Sequence, residues 1–187
     1  MRTAYIGLGG NVTSRAGSPE DTRAAAAERL DALGRVTRRS SLYSTAPVGY
    51  AEQARFVNAV VALETDLEPR ELLKGLLAIE QEFGRDRSAG IANGPRTLDL
   101  DVLMLDDLKI SEPELEIPHP RLAERAFVLV PLSEIAPQIV DARSGRSVSQ
   151  LLNVLHIHAE NEADGVFPIQ SDVWRADAGA GVAGSGR

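Results

Sequence analysis

Apolar residues fall on every second position over residues 3–9, where Ala4, Ile6 and Leu8 alternate with Tyr5, Gly7 and Gly9, and this period predicts a strand. Ser18-Pro19-Glu20-Asp21 carries the marks of a helix start: a capping serine, a proline at the first helical position and acids in the first turn. That helix runs through an alanine-rich stretch to Leu33, and Gly34 stops it. A second strand is predicted over residues 36–44, a loop over 45–50 around Pro47 and Gly49, and a strong strand over 55–67. Residues 69–83 read as an amphipathic helix with Leu72, Leu73, Leu76, Leu77 and Ile79 on its apolar side and Gly84 as its stop. A loop at 85–93 and a Gly94-Pro95 turn lead into a further strand that runs to Leu105. Asp106-Asp107 marks a turn, Lys109-Ile110 opens a short returning strand, and helices follow at 127–135 and 148–155. Beyond Ala159 the pattern dissolves, and residues 176–187, rich in alanine, glycine and serine, read as a disordered tail. The expectation is one domain over 1–158 followed by a largely disordered extension over 159–187, with no internal repeat.

Composition narrows the class. A chain of 187 residues, 43% of them hydrophobic, can build one substantial core. No apolar run approaches the 18 or so residues of a membrane span, and the first residues read as a strand rather than a signal peptide. The absence of cysteine removes disulfides and thiolate metal sites, and together these features point to a cytoplasmic location. A formal charge of −7 argues against a general nucleic-acid binder. Positive charge is local instead, with Arg85, Arg87 and Arg96 in one segment, which suits a small phosphorylated molecule.

The chemistry concentrates in Gly94-Pro95-Arg96-Thr97-Leu98-Asp99-Leu100-Asp101-Val102-Leu103-Met104-Leu105. Side chains alternate across a strand, so Asp99 and Asp101 point the same way with Cα atoms roughly 6.5 Å apart, close enough to share hard cations. Leu98, Leu100, Val102 and Met104 take the opposite face and read as core, while Leu103 and Leu105 continue the aspartate face as apolar residues. An ordinary amphipathic strand with its polar face in water is the commoner fate of such alternation; the apolar continuation and Arg96 beside the acids keep a metal-nucleotide site open as the alternative. No Walker A ending follows the Gly9-Gly10-Asn11 turn or any other glycine pair, so a nucleotide must be held by side chains and metal. Asn58 interrupts an apolar strand on the face of Phe56, Val60 and Ala62, and a buried carboxamide needs partners for both its oxygen and its NH2. Glu80 precedes the basic loop and is a candidate to line the nucleotide site. Pro118 and Pro120 flank His119 and present its imidazole from a rigid loop, whereas His156 and His158 read as incidental.

The stretch from Gly94 resembles the signature of the 6-hydroxymethyl-7,8-dihydropterin pyrophosphokinase family, Gly-Pro-Arg-x-x-Asp-hydrophobic-Asp followed by aliphatics. Gly9-Gly10-Asn11 is similar to that family's Gly-Ser-Asn opening, Pro118-His119 to its Pro-His segment, and Arg125 and Phe127 follow at the family spacing, so the likeness spans residues 3–155. It implies a ferredoxin-like α+β fold, a mainly antiparallel sheet with helices packed on it, compatible with the element order above. The activity implied is transfer of the terminal diphosphate of ATP to the pterin's hydroxymethyl group, with release of AMP, in folate biosynthesis; separately, the chain is expected to be a monomer. Carried onto this chain, the resemblance gives Asp99 and Asp101 two magnesium ions and makes Arg85 and Arg96 phosphate clamps, these four being the catalytic set. It places Glu80, Arg87, His119 and Arg125 with them around ATP, and Thr45, Ala46, Val48, Phe56, Asn58 and Phe127 around the pterin, the two phenylalanines sandwiching its ring. The chain departs from many relatives just before Gly94, where Ala92 and Asn93 stand in place of an arginine and a tryptophan.

Two rival classes share such a fold. A small-molecule-sensing module would leave the aspartates solvated and use ATP at most as an effector. An RNA-binding sheet needs exposed aromatics and a basic face, which four Phe, three Tyr, one Trp and a charge of −7 do not supply.

Overall fold

The computed structural model describes residues 1–49, 52–87, 94–158 and 165–177. In chain order it contains β1 (Arg2–Gly10), α1 (Pro19–Leu30), β2 (Arg35–Arg39), β3 (Leu42–Thr45), β4 (Phe56–Thr65), α2 (Pro69–Glu82), β5 (Asp99–Leu105), β6 (Ile110–Glu112), β7 (Leu115–Ile117), α3 (Ala126–Ile135), α4 (Val148–His158) and β8 (Phe167–Ile169). The sheet runs β5-β1-β4-β3-β8, with β2 also on β4, and every pairing is antiparallel. This is the ferredoxin-like α+β fold expected. The helix starts obey their sequence marks: Ser18 and Asp21 form a reciprocal capping box on α1, and Pro69 opens α2.

The strand alternation divides the core in two. Ala4, Ile6 and Leu8 of β1 and Val57, Ala59, Val61 and Leu63 of β4 pack under α1 and α2 with Ala26, Ala27, Leu30, Leu72, Leu76 and Ile79. The other face carries Val60 and Ala62 of β4 against Val128, Leu129, Leu132 and Ile135 of α3 and Val148 and Leu151 of α4. Full burial of each large aliphatic contributes about 1.5–3 kcal/mol. Phe56, Asn58, Gly7 and Gly9 share this second face, where the packing opens into a cavity.

Four details differ from the sequence expectation. The strand foreseen over 36–44 is two strands broken at Ser40, whose hydroxyl accepts from Val60 N (2.9 Å) while its own N–H donates to Val60 O (2.9 Å). In β5 a bulge at Leu103 shifts the register on β1, since Tyr5 faces Met104 but Ile6 faces Val102. Met104 therefore joins Leu103 on the α3 side, and Leu105 turns to the α1–α2 core, the reverse of the simple alternation. The strand opening at Ile110 pairs with β7 as a separate hairpin instead of returning to the main sheet. Finally, the extension expected to be tail from residue 159 is built into the domain over residues 165–177: β8 pairs with β3, and Trp174 is buried in the α1–α2 core. An isolated three-residue strand and a lone tryptophan carry no period, so the pattern could not announce them. Of the foreseen tail 176–187, residues 178–187 lie outside the described residues.

Candidate active site

β5 delivers Asp99 and Asp101 opposite Gly9 and Gly7 of β1, whose missing side chains make room for Asn58 and Leu103. Gly9 also pairs with Asn58 on β4, and a Cβ on Gly9 would stand 2.7 Å from Asn58 Oδ1. Asn58 Nδ2 donates to Thr45 Oγ1 (2.6 Å), which fixes the carboxamide plane beneath the cavity. Glycine at position 9 is therefore what lets a buried amide lie flat between strands.

The two aspartates sit in different fields. Asp99 is ringed by guanidiniums: Arg96 Nε at 3.0 Å, Arg87 Nη2 at 3.7 Å and Arg85 Nη2 at 3.8 Å. Asp101 is deeper, and burial first, then the negative charge of Asp99, push its carboxyl up to about 6 against the opposing pull of Arg125 and Arg87. A carboxylate pair in this condition is relieved by a cation. Among the described residues no group of three or more His, Cys, Asp or Glu could enclose a metal. The oxygen donors of Asp99 and Asp101 fit magnesium, which keeps waters and phosphate oxygens as its other ligands.

Glu80 takes a different place from the one foreseen. It is 1% exposed and lines neither cavity described here; its Oε1 accepts from Leu100 N (2.8 Å) and its carboxylate takes Arg87 through Nε (2.9 Å) and Nη2 (2.7 Å). Burial raises its pKa, and the Leu100 and Arg87 contacts oppose that rise. Glu80 thus grips the backbone between the two aspartates and aims Arg87, without facing solvent itself.

Thr45, Ala46, Val48, Phe56, Asn58, Arg96, Asp99, Asp101, Arg125 and Phe127 converge on one cavity. Arg96 lies over the Phe56 ring (4.7 Å) and Arg125 over the Phe127 ring (5.5 Å), so both aromatic walls meet cations. Asp101 also lines an adjoining cleft, with Arg87 and His119, walled by Leu73 and Leu77 of α2 and the β6–β7 hairpin. His119 N donates to the carbonyl of the bulged Leu103 (2.8 Å), and its Nδ1 accepts from Arg121 N (3.1 Å). Burial and then the charges of Arg125 and Arg121 lower its pKa to about 4, so the ring is neutral at pH 7 with its proton on Nε2. The structure therefore brings the foreseen residues together, with Arg85 reaching the group through Asp99 and Glu80 through Arg87 and Leu100 N rather than by lining a cavity. Ala92 and Asn93 lie outside the described residues.

Two positioning residues escaped the sequence reading. Arg23 of α1 is fully buried with no carboxylate ion-paired to it among the described residues, and it donates to Gly10 O (3.0 Å), Val57 O (3.4 Å) and Thr97 O. It ties together the cavity ends of β1, β4 and β5. Asn11 completes the rim: its Nδ2 donates to Gln53 Oε1 (2.9 Å) and Ala54 O (2.8 Å), and its Oδ1 accepts from Arg96 N (3.0 Å). Nothing in the run of alanines around Arg23 signals that role; the Gly-Gly-Asn turn is the only hint of the second.

Comparison with known proteins bears on this geometry. Residues 5–137 match the family model described as 7,8-dihydro-6-hydroxymethylpterin-pyrophosphokinase. The chain is 45% identical over 150 residues to a 2-amino-4-hydroxy-6-hydroxymethyldihydropteridine pyrophosphokinase of Synechocystis, covering 80% of this chain and 74% of that protein. It is 51% identical over 106 residues to the mitochondrial folate synthesis bifunctional protein of Arabidopsis thaliana, covering 57% of this chain and 19% of that longer one. A crystal structure of Plasmodium falciparum HPPK-DHPS superposes with a TM-score of 0.72 at 16% identity, over 91% of this chain and 49% of that one, a likeness of fold. Among the described residues no helix is long and apolar enough to cross a membrane.

Proposed function

The chain belongs to the 7,8-dihydro-6-hydroxymethylpterin-pyrophosphokinase family, and we infer that it moves the terminal diphosphate of ATP onto 6-hydroxymethyl-7,8-dihydropterin in folate synthesis. The hydroxymethyl oxygen forms a bond to the β-phosphorus and gives up its proton, which passes to solvent; the bond from that phosphorus to the α-phosphate oxygen breaks, and AMP leaves. The observation that carries this reading is the position of Asp101, which lines both the aromatic cavity and the neighbouring cleft. An acceptor in the first and a nucleotide in the second meet at the acid pair.

In the cavity, Asn58 and Thr45 read the polar edge of the pterin, Phe56 and Phe127 cover its ring, and Ala46 and Val48 close the loop side. In the cleft, Leu73 and Leu77 offer an apolar wall to the nucleotide base, and His119 presents an Nε2 donor. Arg85, Arg87 and Arg96 converge on Asp99 and supply guanidinium forks for phosphate oxygens, with Glu80 steadying Arg87 from beneath. Arg125, between cavity and acids, adds positive charge at the transferring group. Asp99 and Asp101 would hold two magnesium ions, which would neutralise charge on the phosphates. The chain's part is to fix both substrates in line and to exclude water, which is where phosphoryl transfer gains most. We place the enzyme in the cytoplasm as a monomer.

The test is AMP release from ATP, magnesium and the pterin by wild type and Asp101→Ala. Pterin-dependent AMP lost in the variant supports the reading. AMP from the variant at wild-type rate removes the metal assignment, and ATP binding without any AMP in wild type moves the chain to the sensing class.

A further inference from the structure

Residues 165–177 do work that the two substrate cavities leave unexplained. β8 adds itself to β3 with Leu42 facing Ile169, Tyr43 facing Pro168 and Ser44 facing Phe167. Ser44 is the residue before Thr45, so the added strand ends where the loop lining the aromatic cavity begins. Arg55 stands at the other end of that loop, immediately before Phe56. Its Nε donates to Ser44 Oγ (2.8 Å), and its Nη2 donates to Ser44 O (3.2 Å) and to Gly165 O. The same guanidinium lies over the Phe167 ring (5.4 Å). One side chain therefore staples both roots of the β3–β4 connection to the segment that follows α4.

A second anchor holds the far end of the segment. Trp174 is 4% exposed, and its Nε1 donates to Ser40 O (2.7 Å), at the break between β2 and β3. Arg39 lies over the indole (5.6 Å), and its backbone exchanges hydrogen bonds with Asp177, Arg39 N to the carboxylate (2.5 Å) and Asp177 N to Arg39 O (3.0 Å). β3 is four residues long and meets β4 through three facing pairs. Its position, and with it that of Thr45, depends on what holds its outer side.

We propose that residues 165–177 act as a strap that pre-forms the pterin-binding loop, with Arg55 as the positioning residue that transmits its hold. The proposal rests on the aromatic cavity being the pterin site. Among the described residues no hydrogen bond or ion pair links the strap to Asp99, Asp101, Arg87 or His119, so its influence is expected to fall on the pterin rather than on ATP. Coupling between two sites is reciprocal, so a strap that favours pterin binding is itself tightened when pterin binds.

The experiment measures pterin and ATP affinity by calorimetry for the full chain, for Arg55→Met and for a chain ending at residue 164. Hydrogen exchange over 42–45 and 165–177 is followed with pterin or ATP added. Arg55 is exposed, so its substitution leaves the fold intact even if the shortened chain does not fold. The expected result for Arg55→Met is a pterin Kd raised about tenfold, unchanged ATP affinity, and exchange in the wild-type strap that slows with pterin but not with ATP. Equal pterin affinity in wild type and Arg55→Met, or an equal loss for both substrates, overturns the proposal while leaving the cavity assignment standing. A wild-type chain that takes up no pterin overturns that assignment and the proposal together.

Discussion

The two cavities that meet at Asp101 are built by different means. The aromatic one has its floor cut into a sheet, with its polar group, Asn58, already paired with Thr45, and takes one wall, Phe127, from the start of α3. The cleft beside it is walled by a helix, a two-stranded hairpin and the proline-flanked His119, and its lining carries Arg87 with the acids Asp101, Glu112, Glu114 and Glu116. Under the proposed function the first would recognise a shape at little cost in ordering. The second would collect a flexible polyanion, with Arg85, Arg87 and Arg96 around Asp99 at the junction to orient it. A single fold would thus separate selectivity for the acceptor from grip on the donor.

Substitutions should respect that separation. The largest effect is expected at the junction: Asp101→Asn should lower kcat by about 10²–10³-fold while pterin affinity stays within a fewfold of wild type, checked by AMP release and calorimetry. Loss of pterin binding there would mean that the acid pair shapes the cavity as well. Arg23→Met keeps the volume but strips three carbonyls of a donor, and stability in urea should fall by about 2–3 kcal/mol. Burial lowers the Arg23 pKa to about 10, still above neutral pH, so the guanidinium being replaced is a charged one. Gly9→Ala drives a methyl into Asn58 Oδ1 and should weaken pterin binding by about 1–3 kcal/mol, read as a KM shift for pterin with the KM for ATP unmoved. A matching rise in the KM for ATP would break the distinction between the two cavities.

The smallest effect concerns pH. His119 has a folded pKa lowered from 6.5 to about 4, so the unfolded chain binds the extra proton first. Its contribution to stability is complete above pH 6.5 and fades as pH falls towards 4. With a partly exposed ring, solvent screening leaves about 1–2 kcal/mol of it. Denaturation midpoints between pH 7 and 4 should therefore drop less steeply in His119→Gln than in wild type, and parallel curves would refute the assignment.

Much of this was legible in the chain. The alternation of β1, the capping box of α1 and the apolar side of α2 are local signals, and the structure obeys them. Asn58 with Phe56, and Asp99 with Asp101, could be placed on shared faces because a strand's period fixes them. What failed depends on neighbours. The swap of Met104 and Leu105 comes from a bulge set by pairing with β1, and no pattern within β5 encodes it. Glu80 looks like any helix-end glutamate until β5 is laid over it and Leu100 N needs an acceptor. Arg23 sits among alanines and gains its meaning from three carbonyls that are 13, 34 and 74 residues away. Trp174 carries no period of its own, and its place is explained only by burial in the α1–α2 core and the bond to Ser40 O.

Pro168 has a consequence for the molecule in crowded company. An unpaired strand edge is a template on which another chain can add itself, the first step of aggregation. β8 occupies the outer edge beside β3 with three residues, and the middle one has no N–H to offer. The sheet is capped there by a strand that is itself a poor template. Stripped of it, the same edge would present the free backbone of β3, and the protein would trade a finished border for an adhesive one.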